Sequence, residues 1–169
     1  NSVFGGSVPT NFIPAVEKGL IDACKTGILT GNPVVNIKCD LYDGGYHPVD
    51  WNEISFKIAA ALAFKAATPL IKPTILEPVM EVVVTVKDEY VGDVMGDIPQ
   101  RRGNVMGMEP AGNGKTAITA HIPEAEITKY TIDLKAMTQG SGRFTRKFVR
   151  YDDVPSNLVD KIVAEYKKD

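Results

Sequence analysis

The chain has 169 residues, and its 19 lysine and arginine residues nearly balance its 21 aspartate and glutamate residues, for a net charge of −2. That balance excludes a protein that binds nucleic acid through bulk positive charge, and no apolar run approaches the roughly 20 residues of a membrane span. The length suits one ordinary domain or two small ones, and the first residue, Asn1, indicates a fragment or a processed chain.

The first half of the chain predicts a helix, a strand and a second helix. Apolar residues recur at helical spacing from Ile13 to Thr26. Apolar and polar residues alternate from Val34 to Tyr42, which is typical of a half-buried strand. A second helix is predicted from Trp51 to Ala67, with Asp50 as its N-cap and Glu53 completing a capping box.

A proline-rich stretch separates the two halves. Pro69, Pro73 and Pro78 follow the second helix and indicate a short strand with a stiff linker. We therefore place a domain boundary before Pro78, which divides the chain into modules of residues 1–77 and 78–169.

The second half predicts an α+β module. Its elements alternate in the order β-α-β-β-α-β, which is the ferredoxin-like pattern of a four-stranded antiparallel sheet with both helices on one face. The predicted strands are Val79 to Val86, Asn104 to Glu109, Lys115 to Ile122 and Phe144 to Tyr151; the helices are Glu89 to Arg101, Pro123 to Met137 and a final Ser156 to Lys167.

The segment from Gly112 to Thr116 resembles part of a phosphate-binding loop. The full motif needs a glycine at the position of Glu109 and a helix after the loop. Here alternating residues follow, as in a strand, so we predict a hairpin turn and no nucleotide site in this part of the protein.

No set of catalytic or metal-ligating residues converges in the sequence. The two cysteines, Cys24 and Cys39, have no histidine at ligand spacing and are predicted to be buried, reduced thiols, which points to a reducing cytoplasm. His121 falls in a predicted strand and is interpreted as structural. We therefore expect no catalytic residue, metal or cofactor in this chain.

The loop from Asp43 to His47 is the most informative segment. Gly44 and Gly45 permit positive φ angles and close approach of another backbone. Tyr46 and His47 offer a ring and hydrogen-bonding groups that suit RNA. The alternative is an ordinary solvent-exposed loop.

Two groups of basic residues are further candidates. Arg101 and Arg102 end a predicted helix, where they either complement the helix dipole or contact phosphate. In the last strand of the module, alternation puts Arg146 and Arg150 on one face and Lys147 on the other. A solvated edge and an RNA-facing stripe both remain open there.

Several longer motifs, taken together and in order, resemble the fourth and fifth domains of elongation factor G. Members of this family are translational GTPases that move tRNAs and mRNA through the ribosome. The motifs include Ile13 to Gly19, Gly31 to Val35, Leu41 to Asp50, Gly92 to Asp97, Arg101 to Gly103 and Asp133 to Gly140.

The resemblance implies two small two-layer α/β modules. The first would be part of the fourth domain, ribosomal-protein-S5-like and incomplete at its N-terminus, because the family's first strand and a glycine-rich loop should precede Asn1. An open sheet edge there would favour self-association. The second module would be the ferredoxin-like fifth domain. GTP and Mg²⁺ would belong to a preceding domain of the parent protein.

The resemblance also implies roles for the candidate residues. His47, with Gly44, Gly45 and Tyr46, would be the tip that enters the decoding site beside the A-site tRNA and the mRNA. By the same resemblance Arg101 and Arg102 would contact ribosomal RNA of the large subunit, and the protein would be cytoplasmic with no membrane partner.

Departures from the family pattern leave the role of the parent open. Asp50 to Glu53, Ile127 to Tyr130 and the inserted Ser141 differ from the usual motifs, which suggests a divergent paralog. A ribosome-protection or recycling factor is one alternative, and a stand-alone RNA-binding module is another.

Overall fold

The computed structural model describes residues 1–3, 7–45 and 52–167. The chain divides into two compact units, Asn1–Pro73 with Ser156–Asp169, and Thr74–Pro155. The second unit begins four residues before the predicted boundary at Pro78, and strand β1 (Leu76–Lys87) starts at Leu76. Pro78 therefore lies inside β1, where it pairs with Tyr151 of strand β4 (Arg143–Asp153), whereas the pairing with strand β3 (Lys115–Pro123) starts at Val79.

The first unit is built on two packed helices, α1 (Ile13–Lys25) and α2 (Glu53–Ala67), as the sequence predicts. Asp22 of α1 pairs with Lys57 of α2 at 2.6 Å. Hydrogen bonds from Lys25 and from Lys57 lower the pKa of the Asp22 carboxyl to about 2. Helix α5 (Ser156–Tyr166) also belongs to this unit. The buried hydrophobic residues of α1 and α2 are Ala15, Val16, Ala60 and Phe64.

The N-cap of α2 differs from the prediction. The side chain of Asn52 accepts a hydrogen bond from the backbone N–H of Ser55 at 2.8 Å, and the helix begins at Glu53. Asn52 and Ser55 have the same three-residue spacing as the predicted pair of Asp50 and Glu53, so spacing alone could not distinguish them. Asp50 itself lies outside the described residues.

The predicted strand from Val34 to Tyr42 does not form within the described part of the first unit. It belongs to no sheet, and Asn36 interrupts it with a φ of 56°. A strand requires a hydrogen-bonded neighbour, and here the amide of Ser2 donates to the carbonyl of Leu41 without forming a ladder. Cys39 of this segment is exposed and Cys24 only partly buried, so the prediction of two buried thiols was wrong.

The second unit confirms the ferredoxin-like prediction. Its strands form one antiparallel sheet in the order β2-β3-β1-β4, with the helices α3 and α4 between them along the chain. The elements are β1 (Leu76–Lys87), α3 (Val91–Gln100), β2 (Asn104–Gly112), β3 (Lys115–Pro123), α4 (Tyr130–Met137) and β4 (Arg143–Asp153).

One face of this sheet, here called the inner face, carries both helices and the hydrophobic core. Along β1 the inner positions Val82, Val84 and Val86 are almost fully buried, whereas the alternate positions are not, except near the start of the strand. The opposite side is called the outer face. The core is completed by Val94 and Ile98 of α3, Ile118, Ala120 and Ile122 of β3, and Tyr130 and Leu134 of α4.

The predicted helix from Pro123 to Met137 is split. A 3-10 turn at Glu124–Ile127 is followed by α4, which starts only at Tyr130. The carbonyl of Glu126 would accept the amide of Tyr130 in a continuous helix. Instead it accepts a hydrogen bond from Nη1 of Arg101 at 3.0 Å.

The hairpin predicted in place of a phosphate loop is confirmed. Asn113 and Gly114 connect β2 to β3 with φ angles of 54° and 65°. Two consecutive positive φ angles are typical of a type I′ turn, which Asn-Gly sequences favour. Lys115 then begins β3. Among the helices of the described chain, none is long and apolar enough to cross a membrane.

Candidate functional site

The loop predicted to form the tip is described only up to Gly45; Tyr46 and His47 lie outside the described residues. Asp43 orders the start of the loop, because its carboxylate accepts the backbone N–H of Gly44 at 2.8 Å. Neither Gly44 nor Gly45 has a positive φ, so the left-handed backbone that glycine permits is not used at either position.

Gly44 is required by close packing instead. A Cβ built at this position would lie 2.6 Å from Cγ2 of the buried residue Val8, whereas nothing lies within 4 Å of a Cβ at Gly45. Gly44 therefore anchors the loop to the unit, and Gly45 is exposed beyond it. The segment from Val34 to Tyr42 forms no ladder within the described residues, so the open sheet edge and self-association through it stay predictions.

Arg102 occupies an unusual position at the end of α3. It has a φ of 56°, and it forms a Schellman ending in which its own N–H donates to Pro99 and that of Gly103 donates to Ile98. Glycine is the usual residue at such a position, because other side chains are strained there.

All three nitrogens of the Arg102 guanidinium bind carboxylates. Nη1 and Nη2 bind Glu77 of β1 in a bidentate pair at 2.6 and 2.9 Å, and Nε donates to Glu126 at 2.8 Å. The bonds to Glu77 and then Glu126 raise the pKa of Arg102 despite partial burial. This side chain ties the end of α3 to β1 and to the turn before α4.

Arg101 makes a second network on the same helix end. Its Nε donates to Asp97 at 2.7 Å and its Nη2 to Asp133 of α4 at 2.7 Å. Burial disfavours the charged form of the Arg101 guanidinium and by itself would lower its pKa. The hydrogen bonds to Asp97 and Asp133 outweigh this effect, so the pKa of Arg101 is raised. The guanidinium also lies over the ring of Tyr130, 4.7 Å from its centroid.

These contacts give Arg101 and Arg102 a structural role that the sequence did not reveal. Asp97 could have been found from its spacing of four residues along the helix, but Glu77 and Asp133 lie 25 and 32 positions away from their arginines. That the two arginines contact ribosomal RNA stays a prediction. In the structure their guanidinium groups bind carboxylates of the same unit.

Tyr130 makes the stability of this region sensitive to alkaline pH. Burial, followed by the charge of Asp97, raises the pKa of its hydroxyl to about 12 from 10.0. Below pH 10 the hydroxyl is neutral in the folded and unfolded chains. Between pH 10 and about 12 the unfolded chain loses the proton first, so stability falls as pH rises.

We expect Tyr130→Phe to remove this alkaline loss. At pH 11 the wild-type unit should have lost about 1.4 kcal/mol through this residue, since each unit of pKa difference corresponds to about 1.4 kcal/mol. Urea unfolding at pH 8 and pH 11 for both proteins measures the difference. An equal loss in the variant would show that Tyr130 does not carry it.

Strand β4 contains a bulge that changes the predicted faces. Met80 pairs with Phe148 and Val79 pairs with Arg150, which leaves Val149 without a partner in the ladder. The extra residue moves Arg150 to the outer face together with Lys147. The prediction that Arg146 and Arg150 share a face was therefore wrong, because strict alternation assumes an uninterrupted ladder.

His121 lies on the outer face beside this strand. Its Nδ1 is 3.1 Å from Nη1 of Arg150, and its Nε2 is 3.9 Å from the carboxylate of Glu81. Arg150 also donates to Asp152. Over residues 1–3, 7–45 and 52–167, no three histidine, cysteine, aspartate or glutamate side chains are grouped as a metal site.

Comparison with protein families covers almost the whole chain. Residues 1–70 match the family model described as elongation factor G, domain IV, and residues 74–162 match the model described as elongation factor G C-terminus. The resemblance inferred from the sequence motifs is thereby confirmed.

Individual relatives agree with the family match. An elongation factor G-like protein of Thermotoga maritima is 47% identical over 169 residues, which is 100% of this chain and 25% of that protein. Elongation factor G of Aquifex pyrophilus is 47% identical over 165 residues, 98% of this chain and 24% of that protein. A crystal structure of a Thermus thermophilus protein matches with a TM-score of 0.84 and 38% identity, over 99% of this chain and 25% of that one. The chain thus spans about a quarter of the length of these relatives.

Proposed function

The chain belongs to the elongation factor G family, and we propose that it forms the ribosome-contacting end of a translational GTPase that promotes movement of tRNA and mRNA. The observation that supports this proposal most strongly is the match to two family domains, in their order, over residues 1–70 and 74–162. Domains of this family imply an interaction with the ribosome and a role in translation elongation.

The proposed mechanism is steric and electrostatic. The loop that begins at Gly44 and Gly45 presents Tyr46 and His47 to the decoding site, where it occupies the A site and biases the tRNA and mRNA toward the next position. The close packing of Gly44 against Val8 supports this proposal, because it holds the start of the loop against the first unit. GTP hydrolysis, with its Mg²⁺, takes place in other domains of the cytoplasmic parent protein.

We expect His47→Ala in the full-length parent to slow translocation roughly tenfold, equivalent to about 1.4 kcal/mol of barrier, while GTP turnover on ribosomes persists. The reason is that a contact residue supports movement without taking part in hydrolysis. Stopped-flow translocation with fluorescent mRNA measures the first rate, and phosphate release measures the second.

His121→Ala is the matched control, since His121 is the only other histidine of the chain and lies on a strand of the second unit. It should leave translocation unchanged. Wild-type translocation rates in the His47→Ala protein would contradict the proposed role of the tip.

A paralog with a different task is the second candidate. It is favoured by the departures at Asp50–Glu53 and Ile127–Tyr130, and one relative carries the name elongation factor G-like protein. A parent that splits post-termination ribosomes or rescues translation from a ribosome-bound drug, without promoting translocation, would establish a recycling or protection factor instead.

A further inference from the structure

Strand β4 carries a basic surface that the sequence left open between a solvated edge and an RNA-facing stripe. Strand β4 has four basic residues between Arg143 and Tyr151, and its two acidic residues, Asp152 and Asp153, come only at its end, although the whole chain has a net charge of −2. It lies at one edge of the sheet. Local positive charge on an otherwise balanced chain is the electrostatic footprint of a nucleic-acid contact.

The bulge at Val149 sorts the side chains of β4 into two sets. Phe148 pairs with Met80 and Tyr151 with Pro78, so the extra residue brings both rings to the inner-face side of the strand. Without the bulge, residues three positions apart would point to opposite faces. The basic residues that register with the outer face are Arg143, Lys147 and Arg150.

The two rings form an exposed platform. Phe148 and Tyr151 are 48% and 61% exposed, and their ring centroids lie 5.1 Å apart at an angle of 57°. Arg146 lies on the same side as Phe148, and its one ion pair, to Glu124, is long at 3.5 Å with both side chains about half exposed. A pair at the surface of this kind contributes little stability and leaves the guanidinium available.

We propose that β4 binds single-stranded RNA, with bases stacked on Phe148 and Tyr151 and a phosphate held by Arg146, which lies on the same side of the strand as both rings. Exposed rings accept any base on their faces, and basic side chains alongside them follow the phosphate backbone. The inference deepens the proposed function, because the ribosome would supply unpaired RNA, and it assigns that contact to β4.

RNA explains this surface better than a protein partner does. A strand from another protein could add to the free edge of β4, but lysine and arginine side chains on an edge strand oppose such pairing. A purely apolar partner would cover the rings but would not use the half-exposed charge of Arg146. A polyanion with flat apolar groups matches both the rings and this guanidinium.

The first test measures binding of a fluorescein-labelled 12-nucleotide single-stranded RNA to the 169-residue chain by fluorescence anisotropy. Leucine at both ring positions, Phe148→Leu with Tyr151→Leu, keeps an apolar side chain but removes the ring faces. We expect it to weaken binding at least about fivefold, because stacking on one ring contributes roughly 1–3 kcal/mol.

Two matched variants control this result. Phe148→Tyr with Tyr151→Phe retains both rings and should bind as the wild type does. Met108→Ala removes an apolar side chain of similar exposure, 56%, from β2 at the opposite edge of the sheet, and it should also leave affinity unchanged. Circular dichroism confirms that each variant is folded.

The second test measures the salt dependence of binding. Arg146→Gln should reduce the slope of log affinity against log salt by about 0.7, which corresponds to one lost phosphate contact on a single strand. Lys135→Gln, at an exposed position of α4, is the charge-matched control and should leave the slope unchanged.

Each outcome separates this inference from the proposed function. Absence of RNA binding by the wild-type chain, or equal affinity in the double-leucine variant, would overturn the inference. Co-sedimentation of the same proteins with ribosomes then tests the proposed function on its own. If ribosome binding is intact in the wild type and equal in the double-leucine variant, the proposed function stands and the role of β4 does not.

Discussion

Arg102→Ala should lower the free energy of unfolding of the second unit by about 3 kcal/mol. The substitution removes a bidentate pair with Glu77, whose side chain is only 13% exposed, and a further bond to Glu126. A largely buried carboxylate that loses its cationic partner bears a desolvation cost, and charged hydrogen bonds contribute about 1.5–3 kcal/mol each before solvent screening. Guanidinium chloride unfolding of the isolated chain, followed by circular dichroism, measures the change.

A second substitution at the same position separates the side chain from the backbone. Arg102→Gly loses the same ion pairs, but it relieves the strain of the φ of 56°, which costs a non-glycine residue about 1 kcal/mol. We therefore expect the glycine variant to be more stable than the alanine variant by about that amount. If alanine leaves stability unchanged while ribosome binding falls, Arg102 acts as an RNA contact and the structural role fails.

Gly19→Ala should destabilise the first unit by about 3 kcal/mol, because overpacking a tight contact forces the surrounding backbone to move. Gly19 lies where α1 meets α2, and a Cβ there would collide with the carbonyl oxygen of Lys57 and lie 3.0 Å from its carbonyl carbon. Backbone atoms of a packed helix cannot yield as the end of a flexible side chain can. Thermal unfolding monitored by circular dichroism measures the loss.

Gly96→Ala provides the matched control with the opposite expected sign. Gly96 is also inside a helix, α3, but nothing lies within 4 Å of a Cβ at that position. Replacing it should raise the stability of the second unit by about 0.4–1 kcal/mol, since alanine restricts the unfolded chain more than glycine does. Stabilisation by both substitutions would show that the α1–α2 contact is looser than the structure indicates.

Local signals predicted most of the second unit. The β-branched, apolar run from Val79 to Val86 indicated the strand, and the Gly112 to Thr116 segment indicated the hairpin. These predictions succeeded because strand propensity and turn residues act between neighbours along the chain. The longer motifs, read in order, were enough to indicate the family.

Predictions that depended on distant partners were less successful. The alternation from Val34 to Tyr42 is real, but a strand is defined by its neighbour, and the described residues supply none in a ladder. The position of Arg150 depended on a bulge that is visible only once β4 is paired with β1. Asn52 could be chosen over Asp50 as the N-cap of α2 only when the observed start of the helix was known.

The amino-acid sequence by itself determined the family, the order of the elements in the second unit and the place of its hairpin. It also identified Arg101 and Arg102 as notable, but it could not say what they bind. Only the tertiary structure decided that, because their carboxylate partners on β1, α4 and the turn before α4 are separated from them by 24 to 32 positions. These ion pairs form only when the sheet packs against its helices, so no periodic pattern along the chain could predict them.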